Sequence, residues 1–153
     1  MTAPTVSTAA PVARFRHKTT VGLLAALFGC VGAHWWYLGR RRAWLVSAIG
    51  VALLIACFFA KVWYENPAFF LLFIPMIDGF IEAVVLCVMS DAKFDGFYNQ
   101  GLVRQKASGW GAILVAIFTL LFGTIVMMFG IAMIVMYVWE ALGWLEGFDL
   151  NSD

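Results

Sequence analysis

Charge is scarce in this chain. Only 12% of its 153 residues are Asp, Glu, Lys or Arg, about half the roughly 25% of an ordinary soluble domain. Ten basic residues do not make the dense stripe that tracks a phosphate backbone, so no nucleic-acid partner is expected. Cysteine occurs three times (Cys30, Cys57, Cys87), always inside apolar runs and without metal-ligand spacing. That excludes a disulfide framework, leaves no metal site to expect, and reads as packing thiols. The chain holds no G-x-S-x-G, H-E-x-x-H, P-loop, C-x-x-C or dinucleotide fingerprint. Neither an enzyme nor a bound cofactor is expected.

What fills the chain instead is hydrocarbon. Hydrophobic residues make up 63% and mean hydropathy is +0.90, against about 45–50% apolar in soluble domains. A single domain of this length has no core large enough to hide them, so the excess is expected to face lipid. Apolar segments lie near 19–39, 43–60, 67–90 and 110–139, the last inside an expected helix over 110–141. Each approaches or exceeds the roughly 20 residues that cross a hydrocarbon core. Backbone groups must bond internally there, which makes the segments helices. The expected fold is an all-α integral membrane protein, four apolar helical segments in one bundle, located in a cell membrane.

The breaks support this division. In "KVWYENP", Asn66 can cap a helix and Pro67 can occupy its first turn. The one long polar loop, "SDAKFDGFYNQGLVRQKASG", separates the third and fourth segments. Tryptophans at 35, 36, 44, 63, 110, 139 and 144 stand near segment ends, where an amphipathic ring prefers the headgroup region. Residues 1–18 lack periodicity and read as a flexible tail, and the C-terminus as a short acidic one. The basic start and the small "VGA" at 31–33 imitate a secretory signal, but the run continues into aromatic residues.

Two topologies follow from the basic residues. If all four segments cross, six Lys and Arg lie on one side and four on the other. If the first segment dips in and returns, the tail, Arg40–Arg42 and the 91–109 loop share a side against Lys61 alone. The second satisfies the positive-inside rule better, while complete crossings are the commoner arrangement. Both make Arg40–Arg42 and 91–109 cytoplasmic and leave the side of the N-terminus open.

The stretch "KTTVGLLAALFGCVGAHWWYLGRRRAW" resembles the start of a TM2 domain, a family of two-transmembrane-helix proteins. Its hallmark is an apolar helix closing on Gly-x-x-Gly-(Ala/Leu)-(His/Asp)-Arg-Phe-Tyr-Leu-Gly, then a basic turn and a second helix. Gly29, Gly32, Ala33, His34, Tyr37, Leu38, Gly39 and Arg40 match; Trp35 and Trp36 replace the usual arginine and phenylalanine. Asp78 in "FIPMIDGF" matches an aspartate near the end of the family's second helix, after about 14 additional residues. Asp91, Lys93, Asp95, Tyr98 and Asn99 match a tail of some bacterial members. The resemblance spans roughly 18–100, so 19–100 forms a TM2-like membrane region and 101–153 a cytoplasmic linker, an additional helix and the tail. It implies a membrane hairpin with a cytoplasmic turn and no catalytic activity.

Three sets of side chains stand out as candidate sites. Gly29, Gly32, His34, Tyr37, Gly39 and Arg40 form the motif turn, with Gly32 and Gly39 suited to the left-handed backbone that leaving and re-entering a helix demands. His34 can titrate near neutrality or simply sit wet at the interface. Trp35, Trp36, Arg41 and Arg42 make a basic and aromatic patch suited to anionic lipid headgroups or another membrane protein. Asp78 and Glu82, four residues apart on one face, are ionisable groups inside an apolar segment. No apolar segment carries a Lys or Arg to match them, which favours protonated carboxyls or hydrogen bonds to Thr119, Thr124, Ser47 or His34. The expected function is a non-enzymatic scaffold or interaction protein; the alternative is a small transporter or channel component using Asp78 and Glu82. Small residues at helical spacing (Ala25–Gly29–Ala33, Ala48–Ala52–Ala56, Ala112–Ala116–Thr119–Gly123–Gly130) suggest close packing, chiefly within the chain, and permit a homo-oligomer.

Overall fold

A computed structural model of the chain describes residues 14–62 and 65–144. Every regular element among them is helical: α1 (Lys18–Phe28), α2 (Ala33–Leu38), α3 (Ala43–Phe58), α4 (Pro67–Val88), α5 (Asp91–Tyr98) and α6 (Trp110–Ala141). Trp63, residues 1–13 of the expected tail and the acidic C-terminus lie outside the described residues.

Two helices, α4 and α6, are long and apolar enough to cross a membrane by length and composition. At about 1.5 Å per residue they measure about 33 and 48 Å, and the 16-residue α3 about 24 Å. The first apolar segment does not form one rod of spanning length. After α1 the chain tightens into a 3-10 turn at Gly29–Val31, and Gly32 then takes a left-handed conformation (φ 67°). No β-carbon opposes that conformation in glycine, so the chain can reverse there. Segment 18–38 is therefore a helical hairpin that enters the bundle and returns to the end it left.

Its depth is set by glycines. Gly29 lies against Gly79 in the middle of α4, and a β-carbon on Gly29 would sit 2.7 Å from the Gly79 Cα. From there α3 runs to the far end past the tip of the hairpin, where Ser47 donates to the Val31 carbonyl at 2.8 Å. Asn66 caps α4 by accepting from the Ala68 N–H at 2.9 Å, with Pro67 at the first position and Pro75 inside the same continuous helix. The 91–109 segment, expected as a loop, opens with α5 because Ser90 accepts from the Lys93 N–H and caps it. Finally α6 runs back along α4, with Gly123 under Phe80 and Gly130 under Phe73.

Small-residue seams are used unequally. Ala112, Ala116, Thr119, Gly123 and Gly130 of α6 are buried, as are Ala25 and Gly29. Ala48, Ala52 and Ala56 of α3 are exposed, contrary to the expectation of packing within the chain, because α4 and the hairpin cover other faces of α3. Charge is sorted as well. Arg14, Arg16, Lys18, Arg40, Arg41, Arg42, Lys93, Arg104 and Lys106 gather at one end with α5, and Lys61 stands at the other.

Gly79→Val should disrupt this arrangement, since its first added carbon meets the Gly29 Cα at 2.5 Å and the Ala25 carbonyl at 2.8 Å, neither able to yield as a side chain would. Overpacking of this kind costs about 1–3 kcal/mol or more, visible as a lower unfolding temperature in detergent. Gly96→Ala in α5, where a β-carbon meets nothing within 4 Å, should not lower it; equal losses in both variants would refute the close-contact account.

Candidate functional site

The motif turn is built by its two glycines. Gly32 opens α2 and Gly39 closes it, at φ 67° and 71°. After the second, the Arg40 N–H bonds back to the Trp35 carbonyl at 3.0 Å, satisfying a helix-end acceptor and aiming the arginine inward. The Trp36 indole donates to Ser47 at 2.7 Å, tying the turn to α3. Tyr37 receives the Arg16 side chain on its carbonyl at 3.1 Å and the His17 N–H on its hydroxyl at 3.2 Å.

Beneath this turn lies a cluster of ionisable groups. One Glu82 oxygen takes Arg40 Nη1 at 2.5 Å, and the other faces His34 Nε2 at 2.9 Å. The second pair stands at ion-pair distance without hydrogen-bond geometry, and His34 Nδ1 and Trp35 Nε1 also lack hydrogen-bond partners among the described residues. His34 is 1% exposed. The Arg40 guanidinium lies 4.7 Å from the centre of the Trp35 ring and donates to the Tyr98 hydroxyl at 3.3 Å. Burial works against the charge of Arg40, but hydrogen bonds to Tyr98 and Glu82, with the Glu82 charge, outweigh it and raise its pKa.

A second network seals the same end. Lys18 Nζ donates to Asp91 at 3.1 Å and to the Met89 carbonyl. The other Asp91 oxygen accepts the Ser108 N–H at 2.7 Å. Arg104 grips Asp95 with two nitrogens, at 2.6 and 2.7 Å, a bidentate geometry suited to a planar carboxylate. Asn99, 2% exposed, pairs with the backbone of Arg16 through its amide oxygen and nitrogen. Burial tends to raise the pKa of Asp91, but bonds from Ser108 and Lys18 bring it down to about 2. Asp95 is lowered as well, by its Arg104 bonds first.

Several expectations change here. Asp78 and Glu82 do not act as a pair: Glu82 faces the arginine turn, while Asp78 is exposed in a groove between α3 and α4 and has no bonding partner among the described residues. The absence of basic residues from the apolar segments does not leave Glu82 unpaired, because Arg40 reaches it from the turn. Thr119 and Thr124 bond to carbonyls of their own helix, not to either carboxylate. Arg41, Arg42 and Trp36 remain exposed, whereas Trp35 turns inward under Arg40. Residues 14–18 of the expected tail pack on α5 and the turn. Sequence reading passed over Arg16, Tyr98, Asn99 and Arg104 as partners; a basic residue within a few positions of an aromatic or acidic one was the available signal, and it names no partner.

The cluster is a clamp in chemical terms. No group of His, Cys, Asp and Glu among the described residues could hold a metal ion. Comparison with protein-family models, curated proteins and solved structures gives no match for the chain.

Arg40→Gln should destabilise the protein by about 1–3 kcal/mol, because it strands a half-buried carboxylate. Arg40→Gln with Glu82→Gln should lose less than the two single variants together; a purely additive cycle would show that the groups do not interact. Asp91 allows a pH test. Its folded pKa is depressed, so its contribution is complete above the ordinary value of 3.8 and is lost as pH falls through about 2. The difference in unfolding temperature between the wild type and Asp91→Asn should be largest near about pH 6, shrink as pH falls and be smallest below about pH 2. A difference that persists at the acid end would contradict the assignment.

Proposed function

We propose that this chain is a multi-pass protein of the cell membrane, with its polar end in the cytoplasm, working as an interaction platform without catalytic activity. The observation that carries the reading is the sorting of charge. Nine of the ten Lys and Arg residues lie at one end of an otherwise apolar bundle, the asymmetry that orients membrane helices. Exposed Phe118, Leu121, Phe122, Ile125 and Met128 along α6 suit lipid. On this reading α3, α4 and α6 cross the bilayer and the hairpin of α1 and α2 is re-entrant, its polar tip groups bonded within protein as such segments require. Likeness to TM2 proteins belongs to the same proposal: the glycine-flanked turn with its inward arginine would be the shared device.

The platform is narrower than the whole turn. Arg40 and Trp35 belong to the clamp, leaving Arg41, Arg42 and Trp36 to meet anionic headgroups or a partner, at about 1 kcal/mol per basic residue. Glu82, paired with Arg40 and facing His34, is engaged within the protein, which supports an interaction role over a transport one.

Cysteine labelling tests the orientation. In a background lacking Cys30, Cys57 and Cys87, Gln105→Cys should react only from the cytoplasmic side and Lys61→Cys only from the opposite side. Reaction of Gln105→Cys from outside would overturn the topology. Arg41→Gln with Arg42→Gln should leave the unfolding temperature unchanged while lowering enrichment of anionic lipid around the purified protein.

A further inference from the structure

We infer that the face of α3 and α4 around Asp78 docks a membrane-spanning helix of another protein that carries one Lys or Arg at mid-span; this rests on the membrane reading above. Asp78 lies midway along α4, exposed, and has no ion or hydrogen-bond partner among the described residues. It opens into a recess of about 440 Å³ whose walls include Trp35, Val46, Ile49, Ile74 and Pro75. An ionisable group at that depth in lipid is costly and is kept where it pairs.

This chain cannot supply the pair. Nine of its basic residues sit at the cytoplasmic end, and Arg40, which reaches into α4, is held by Glu82 one turn away. Lys61 stands at the opposite end. A second copy would bring the same distribution, so it offers no cation at the depth of Asp78. Headgroup amines lie at the ends of a bilayer, not at its middle. An ion pathway is less well supported: apart from Asp78 the walls of the recess are apolar, and the next carboxylate along α4 is already paired with Arg40 and faces His34.

A second observation points to a helix as the occupant. Next in sequence to Ile49 and Leu53 of the recess wall, α3 exposes Ala48 and Ala52, and with Ala56 these are spaced four apart on one face. Small residues let two helix backbones approach closely in lipid, and the corresponding seams of α1 and α6 are already covered within the chain. The α3 seam alone is left for a partner. A helix lying over both this seam and the recess would bring a mid-span lysine or arginine to the Asp78 carboxylate.

The test uses the full chain in phosphatidylcholine liposomes and three synthetic Leu/Ala helices with a central Lys, Leu or Glu, each bearing a dansyl group. Resistance to alkaline extraction comes first; a chain that washes off fails the membrane reading and takes this proposal with it. Energy transfer from the protein's tryptophans to the dansyl group then reports association. The Lys helix should bind about tenfold more tightly than the Leu helix, the size expected of one polar contact between helices. The Glu helix should bind no better than the Leu helix. Asp78→Asn should abolish the Lys preference while leaving the unfolding temperature unchanged, since Asp78 bonds nothing among the described residues. Ala52→Leu should weaken binding of the Lys helix. Equal binding of Lys and Leu helices, a preference that survives Asp78→Asn, or a fall in stability in that variant would each overturn the proposal in a chain that is firmly inserted.

Discussion

Where α1 meets α4, Gly29 and Gly79 leave no side chain between two backbones, and the hairpin can sink to the middle of the longer helix. A β-carbon on either residue would push the hairpin away from α4. His34 would then lose its place beside Glu82, and Arg40, at the mouth of the hairpin, would no longer reach that carboxylate. The ion cluster, the inward Trp35 and the position of Tyr37 under Arg16 all depend on this one contact. Glycine costs backbone entropy in a helix, and the return here is packing depth.

The clamp and the second network fix the same end by different means. Around Glu82, desolvated groups are few and their partners come from sequence-distant elements, so loss of one leaves a charge stranded. Around Asp91 and Asp95 the groups are more numerous, and several donors share each carboxylate. Such an arrangement tolerates local change, because neighbours partly replace a missing bond. Together they convert a tail, a turn and a short helix into one polar cap over the apolar helices.

That cap also divides the aromatic and basic residues into two kinds. Trp35 and Arg40 look inward and hold the fold; Trp36, Arg41 and Arg42, adjacent in sequence, look outward and remain available. Helical periodicity and the left-handed step at Gly39 make the division, since each rotates the next side chain onto another face. Asp78 and Glu82 are separated by the same logic. Four residues place them on one stripe of α4, yet the turn covers only the end of that stripe, so one carboxylate is enclosed and the other is left open.

Much of this was legible in the chain by itself, and the legible part is local. Apolar runs of sufficient length dictate helices, Asn66 with Pro67 marks a start, and Gly32 and Gly39 mark reversals because few other residues accept positive φ. Short-range chemistry settles such features. Choices between distant partners are different. Arg40 and Glu82 are forty-two residues apart, Arg16 and Asn99 eighty-three, and many carboxylates and amides in the chain could have served equally well on sequence grounds. Nor does spacing show which of three small-residue seams is covered, since all three satisfy the same pattern. The first apolar run illustrates the limit most clearly: twenty-one residues suffice for a full crossing, and it is the packing of Gly29 on Gly79, together with the reversal at Gly32, that holds the run as a hairpin. Those outcomes belong to the tertiary structure because packing depth and charge pairing are properties of surfaces, which exist only once the helices have met.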